Sequence, residues 1–297
     1  MDIDLRRLRY FLAVAEELHF GRAAERLHIA QPALSRQVRA LEEQVGAQLL
    51  RRDRRGTALT PAGVLLLEEA PQLLGAAEAL LRRVSAAASS RPRFTIGFMP
   101  GITVTPAVRA LNTARPRLEV RLLRTTWDDQ VDVLRDGRAD VSVIRLPVDP
   151  SGLEVLPLFT EPRVAILPAD HPLASRAEVG VTELAGDHLL QDPDAVPEWR
   201  DVAHELRTGA RTAVPPIHSV EEKLELVAAG AGICVIPLST AAFYTRSDVS
   251  VVPVRDIGPN KVCLAWMATR HSPVIELFAE LAGSLTPPKS TTGPGSC

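Results

Sequence analysis

Gln31, Pro32, Ser35, Arg36 and Arg39 fall within one short stretch, "IAQPALSRQVRALEEQVG", residues 29 to 46. On a helix the last four share one face, at i, i+3, i+4 and i+7, with Gln31 at the helix start. Arg can fork onto guanine, Gln onto adenine, and Ser can bond a base or a phosphate, so these are residue types a major groove can use. A helix N-terminus adds a dipole that favours phosphate. On the other side Leu34, Val38, Leu41 and Val45 recur at i, i+4, i+7 and i+11, an apolar stripe that buries the helix on a small core. A solvated helix face with ordinary charges would carry similar residues, so the neighbouring segments have to decide.

Those segments favour recognition. A helix is expected over Arg22 to Leu27, capped by Gly21 after an interruption at Phe20-Gly21, and a second over residues 31 to 43, ended by Gly46. Three residues separate them, which is helix-turn-helix spacing. An earlier helix carries Leu5, Leu8, Leu12 and Ala15 behind the N-cap candidate Asp4. After Gly46, "LLRRDRRGTALTP" has no helical stripe and reads as a short hairpin turning at Gly56. Its "RRDRR", 51 to 55, holds four Arg and one Asp, a net +3. A charge run alone is usually a solvated face; one beside a groove-reading helix would lie on phosphates or enter a narrow minor groove.

From Thr60 to about Ser89 the sequence predicts one long helix, started by Thr60-Pro61 and kinked at Pro71. Leu66, Leu73, Leu80 and Ala87 fall seven apart, with Ala62, Glu69, Ala76 and Arg83 before them, an imperfect heptad suited to a partner helix. "ASSRPR", 88 to 93, is a linker. Beyond Phe94 the period changes. "FTIGF", "LEVRLL", "VSVI", "EVLPLF" and "RVAILP" read as strands, with helices over 104 to 114 and 127 to 138 between them. A second set follows: "DHLLQ", a helix near 198 to 208, "AVPPIHS", a helix over 220 to 229, "GICVIP", "VSVVPV" and "VCLAWMA", then a helix over 273 to 284. Alternating strand and helix predicts parallel-sheet α/β units. Two such units with the chain passing between them twice would leave a cleft where strand ends meet.

Bulk properties bound the rest. With 297 residues, 46% of them apolar and 24% charged, the chain can bury the cores of two domains, or of three small ones. A net charge of −2 confines any nucleic-acid surface to a local patch. Thirty-one of the 34 basic residues are Arg, which reflects genome composition rather than function. Cys234, Cys263 and Cys297 are odd in number and widely spaced, which argues against a disulfide framework and fits a reducing compartment. "MDIDLRRLRY" is not a signal peptide, and no apolar run approaches a membrane span of about 20 residues, so a cytoplasmic protein is expected.

The stretch "FGRAAERLHIAQPALSRQVRALEEQVGAQLLRRDRRGTALTPAG", 20 to 63, resembles the winged helix-turn-helix of LysR-type transcriptional regulators. The match is carried by Ala23-Ala24, Leu27, Gln31-Pro32-Ala33-Leu34-Ser35, Leu41-Glu42, Gly46, Leu49, Arg52, Arg55, Leu59-Thr60 and Ala62-Gly63. "HPLA", 171 to 174, and "LVAAGAGICVIP", 226 to 237, are similar to segments of that family's effector domain. Ala30, where the family often has Ser or Thr, loses a hydroxyl; His19 and Gly21 replace common hydroxyl residues; Leu50 stands where Phe is usual.

The resemblance implies an all-α winged helix-turn-helix over 1–60, a linker and dimerisation helix over 61–89, and a two-lobed α/β, periplasmic-binding-protein-like effector domain over 90–292. Lobe I would span about 93–163 and 268–288, lobe II about 164–267, with a disordered tail over 286–297. It implies double-stranded operator DNA as partner, a homodimer through the linker helix, a homotetramer of two dimers, and RNA polymerase as a candidate partner. Groove contacts fall on Gln31, Pro32, Ser35, Arg36 and Arg39, wing contacts on Arg52, Arg54 and Arg55. The effector cleft would draw Pro100, Gly101, Ile102, Thr103, Thr126, Trp127 and Arg145 from one lobe and Gln191, Ser219 and Val220 from the other. A helix after Thr103 would aim N–H groups into it, Thr126 and Trp127 would start the next helix, and Arg145 would supply a fixed cation. Such a cleft suits a small organic anion, aromatic ones included; no cofactor or metal is implied. Each residue has a plainer role beside this: Trp127 packing, Arg145 pairing with Asp140 or Asp149, Ser219 capping a helix with Glu222 three residues on.

Other function classes stay open at this point. The histidines at 19, 28, 171, 188, 204, 218 and 271 are scattered and form no metal-site spacing. His218 and Ser219 are adjacent and would point to opposite faces of a strand, a poor base–nucleophile couple. Cys234 and Cys263 are 29 apart in expected strands, which disfavours a redox-responsive regulator. A solute-binding module without DNA function and a small-molecule enzyme using the cleft are the remaining alternatives; the "RRDRR" run argues against both.

Overall fold

The computed structural model describes residues 3–53, 56–87, 91–211, 217 and 219–285. Its chain divides into two compact units, residues 1–89 with 135–138, and the remainder.

The first unit opens with helix α1 (Leu5–Glu17), capped by the Asp4 carboxylate, which accepts the N–H groups of Arg6 and Arg7. Helix α2 (Phe20–Arg26) begins two residues before the expected start, and its cap is His19 rather than Gly21. The His19 Nδ1 accepts the N–H groups of Gly21 and Arg22 at 3.1 and 3.2 Å. Gly21 lies inside the helix, where an added Cβ would meet the His19 ring at 2.9 Å. Helix α3 (Gln31–Val45) starts at Ala30, which offers no side-chain cap, and ends on Gly46 at φ 69°. Leu34, Val38 and Leu41 are fully buried against Leu8, Phe11, Val14 and Ala23, while Val45 packs at the edge of that core.

Strands β1 (Leu50–Asp53) and β2 (Gly56–Leu59) pair antiparallel from Leu50↔Leu59 to Asp53↔Gly56. The Glu42 carboxylate accepts both the Leu49 and Leu50 N–H groups and so ties this hairpin to α3. Helix α4 (Pro61–Ala87) runs through Pro71. The anticipated heptad line splits along it: Leu66 packs on the core together with buried Ala70 and Leu74, whereas Leu65, Leu73, Leu80, Leu81 and Val84 are exposed. The side chains of Arg83 and Ala87 lie outside the described residues.

The second unit contains two sheets. Strands β3 (Arg93–Phe98), β4 (Glu119–Arg124), β5 (Val141–Arg145), β6 (Leu153–Glu161) and β10 (Asn260–Met267) form one, in the order β4-β3-β5-β10-β6. Here β3 is parallel to β4 and β5, but β10 runs antiparallel between β5 and β6. Helices α5 (Thr105–Ala114) and α11 (Pro273–Ala282) cover one face, with the Phe94 and Phe278 rings 5.7 Å apart. The single-turn helix α6 (Asp132–Arg135) packs Val133 and Leu134 against Ile144, Cys263 and Ala265.

Strands β7 (Arg163–Pro168), β8 (Cys234–Pro237) and β9 (Val249–Pro253) form the other sheet, order β8-β7-β9, antiparallel throughout. Helix α9 (Val220–Ala228) buries Leu224 and Val227 against it. The short helices α7 (Pro197–Arg200) and α8 (His204–Thr208) sit with the fully buried Trp199, and α10 (Leu238–Phe243) follows β8.

Five expectations are corrected. The sheets are mixed and antiparallel rather than parallel, because β6, β9 and β10 are hydrogen-bonded against the direction of their neighbours. The helix expected over 127 to 138 is a run of turns around α6, and that over 198 to 208 is broken at residues 201 to 203 between α7 and α8. "DHLLQ" is no strand; it touches the second sheet through one bridge, Leu189↔Ile233. The chain returns to the first sheet before β10, so residues 260 to 267 belong with lobe I and not with lobe II. Most of "AVPPIHS" and the tail from 286 lie outside the described residues.

Candidate functional site

The face of α3 opposite its buried stripe carries Gln31, Pro32, Arg36 and Arg39 exposed and Ser35 half-buried. Charge pairing separates this face from α2 and from Arg9 on α1. Arg22 and Arg26 of α2 are tied to Glu17 and Glu16 at 3.2 and 2.7 Å, and Arg9 to Glu78 at 3.1 Å. Among the described residues no carboxylate comes within ion-pair distance of Arg36 or Arg39. Two exposed guanidiniums on one helical face therefore keep their donors for an outside acceptor. On the hairpin, the Arg52 backbone pairs with Thr57, while its side chain, Arg54 and Arg55 lie outside the described residues. Arg51, which the sequence reading left out, is exposed on β1.

In the second unit a cavity of about 850 Å³ lies between the two sheets' elements. Seven of the ten anticipated cleft residues line it: Pro100, Thr126, Trp127, Arg145, Gln191, Ser219 and Val220. Gly101, Ile102 and Thr103 do not. Gly101, at φ 83°, lies so close to the Ser239 and Thr240 backbone that a Cβ would meet it at 2.6 Å, and Ile102 is buried in the core of the first sheet. The following helix starts only at Thr105, without a side-chain cap.

The lining residues have definite chemistry. Thr126 starts no helix; its N–H and hydroxyl both donate to Asp129 Oδ1, at 2.7 and 3.1 Å, and pin a turn that holds Trp127 at 43% exposure. The Gln191 amide bonds both ways to the Val235 backbone, donating to its carbonyl at 2.8 Å and accepting its N–H at 3.0 Å, so it extends β8 pairing rather than presenting a free amide. Ser219 caps α9, its hydroxyl accepting the Glu222 N–H at 3.0 Å.

Arg145 is not the free cation anticipated, and it pairs with neither Asp140 nor Asp149. It is buried against Glu161 at 3.0 Å, and its other nitrogens donate to the Pro100 carbonyl and the Ser239 hydroxyl. Burial draws its pKa below the ordinary guanidinium value, and Glu161 opposes that shift. At the cleft mouth Arg124 donates to Glu221 at 3.0 Å and to the Tyr244 hydroxyl at 2.6 Å, and Tyr244 donates to Glu221 at 3.0 Å. Glu221 is held below the usual carboxylate range by its own N–H, against burial, with help from Tyr244 and Arg124. Sequence reasoning missed Arg124, Arg163, Arg211 and Lys223 as lining residues; they lie far apart in the sequence, and only the packing of strands, loops and α9 brings them to one cavity.

The two interior thiols do not form a redox pair. Cys234 lies on β8 of one sheet and Cys263 on β10 of the other, both buried. Burial pushes the Cys234 thiol up to about 12 and raises Cys263 as well. Reaction with an oxidant needs the thiolate, which both sites disfavour.

A helix-turn-helix with a hairpin wing, joined through a long helix to a two-sheet domain with a ligand-sized cleft, defines a ligand-responsive DNA-binding regulator. Residues 5–64 match the family described as bacterial regulatory helix-turn-helix protein, lysR family, and residues 87–286 match the LysR substrate binding domain. The chain belongs to the LysR family of transcriptional regulators. It is 34% identical over 287 residues to the Hca operon transcriptional activator HcaR of Escherichia coli (strain K12), covering 93% of this chain and 96% of that one. It is 31% identical to the regulator BenM of Acinetobacter baylyi (strain ATCC 33305 / BD413 / ADP1), covering 91% and 90%. Among solved structures, full-length CbnR complexed with its target DNA is 26% identical, with a TM-score of 0.56 over 94% of this chain and 99% of that one. The protein is a LysR-type transcriptional regulator with an effector-binding domain. Among the described residues no helix is long and apolar enough to cross a membrane.

Proposed function

We propose that α3 enters the major groove of a double-stranded operator, with Gln31, Pro32, Ser35, Arg36 and Arg39 toward the base edges and Arg52, Arg54 and Arg55 on the phosphates of the flanking backbone. One observation carries this reading: Leu34, Val38 and Leu41 are at 0% exposure while Arg36 and Arg39, on the same helix, are exposed and unpaired among the described residues. The apolar residues left open on α4, Leu65, Leu73, Leu80, Leu81 and Val84, support pairing of two copies through that helix. Two such dimers make a tetramer that spans paired half-sites, works in the cytoplasm and acts on RNA polymerase at the promoter. The protein acts by binding rather than by turnover.

The cleft takes a small organic anion. Its volume of about 850 Å³ is within the range of small-molecule sites, and Trp127 gives it a flat apolar wall. A ligand that prefers one arrangement of the cleft shifts the population of the assembly, and so the presentation of paired recognition helices. DNase footprinting on the promoter beside the protein's own gene, with and without candidate organic acids, tests the whole reading. Protection of two half-sites, altered by one acid, is expected; no protection at any concentration would refute it.

A further inference from the structure

We propose that Lys223 selects the charge of the ligand, and that the cleft admits an organic monoanion: one carboxylate on an apolar or aromatic body. The inference rests on the cleft being the effector site and adds the ligand's charge class and the residue that fixes it.

Among the described residues five cationic side chains line the cavity: Arg124, Arg145, Arg163, Arg211 and Lys223. Four are already neutralised. Arg124 is held by Glu221 at 3.0 Å, Arg145 by Glu161 at 3.0 Å, Arg163 by Glu198 at 2.8 Å and Arg211 by Glu205 at 2.8 Å. Much of what remains of their donor capacity goes to backbone: Arg163 to the Gly258 and Ala195 carbonyls, Arg211 to those of Leu189 and Gln191. Lys223 differs. Among the described residues no carboxylate lies within ion-pair distance of it. It is half-buried on α9 and near enough to the buried Cys234 for its charge to act on that thiol.

The residue type fits the task. This chain uses Arg at 31 of 34 basic positions, and only residues 223, 261 and 289 are Lys. A guanidinium spreads its donors over several fixed acceptors, as Arg145, Arg163 and Arg211 do here, whereas an ammonium is a compact charge with three rotatable donors that can follow a ligand carboxylate. A second ligand carboxylate would be disfavoured, because among the described residues it finds no second open cation in the lining and would meet Asp128 or Asp192 instead. The body of the ligand meets Met99, Trp127, Leu190, Val220 and Ile236.

Isothermal titration of the full-length protein with phenylacetate, its neutral amide phenylacetamide, and the dianion homophthalate tests this. Phenylacetate is expected to bind at least about tenfold tighter than either, roughly the worth of one charge-assisted hydrogen bond. Lys223→Gln should lose that preference while leaving phenylacetamide binding and the melting temperature unchanged, and Lys223→Arg should restore part of it. Equal binding of acid and amide, no binding of phenylacetate, or a Lys223→Gln protein that keeps the preference each overturns the assignment. Phenylacetate binding that persists undiminished in a cleft-filling Val220→Trp variant would place the ligand elsewhere and overturn the reading of the cleft itself.

Discussion

Arg145 and Glu161 meet at 3.0 Å with side chains only 2% and 1% exposed. Around this pair, the Pro100 carbonyl, the Ser239 hydroxyl and the Ser239 N–H complete the hydrogen bonding. It therefore joins β5, the end of β6, the loop after β3 and α10 in one buried network at the floor of the cleft.

Breaking that network from one side strands a charge. Arg145→Met leaves the Glu161 carboxylate buried without its partner, and urea unfolding of the effector domain should show a loss of about 3–5 kcal/mol. Arg145→Met with Glu161→Leu removes both charges and should recover much of it. Equal losses in the single and double variants would mean the pair is not the element that matters.

The start of α2 depends on an imidazole where a hydroxyl would serve. His19→Ala removes the acceptor of the Gly21 and Arg22 N–H groups, with an expected cost of about 1 kcal/mol in denaturant midpoint analysis. His19→Ser should restore most of it. An unaffected His19→Ala protein would show that the cap contributes nothing.

Thiol chemistry separates a packed cysteine from a sensing one. In a Cys297→Ser background, Ellman's reagent at pH 8 should label neither Cys234 nor Cys263 on the timescale of free thiols, since Cys234 is pushed up to about 12 and Cys263 is raised. Both should react once the protein is unfolded. Rapid labelling of the folded chain would restore a redox role.

The latch at the cleft mouth carries a pH signature. Glu221 titrates below its ordinary value of 4.5, chiefly through its own N–H, so the folded state favours its charged form. Its stabilisation is fully present above pH 4.5 and is lost as pH falls through the lower, folded value. The stability difference between the parent and Glu221→Gln should thus be constant from neutral pH down to about 5 and shrink below 4.5. A difference that grows on acidification would contradict the pairing with Arg124 and Tyr244.

Much of the first unit was legible in the sequence. The stripe Leu34, Val38, Leu41 and the closing Gly46 have a strong helical period and a positive-φ terminus, and both lie where the spacing put them. The start of α2 was misread because His19 is not a usual cap, yet the glycine after Phe20 leaves its ring the room a Cβ would take. In the second unit single elements were readable but their pairing was not. Nothing in "VCLAWMA" says that β10 inserts between β5 and β6 instead of staying with the strands that precede it. The cleft followed the same division. Trp127 and Ser219 announced themselves by type and position, whereas Arg145 looked available because its partner, Glu161, lies sixteen residues on and meets it only once β5 and β6 share a sheet with β10 between them.

The central claim is that the exposed edge of α3 reads base sequence. Fluorescence anisotropy of Arg36→Ala against the specific operator and a scrambled duplex, at one fixed salt concentration, tests it most directly. Affinity for the operator should fall by roughly 1–3 kcal/mol while affinity for the scrambled duplex changes little. An Arg36→Ala protein that binds its operator as tightly as the parent would contradict the account.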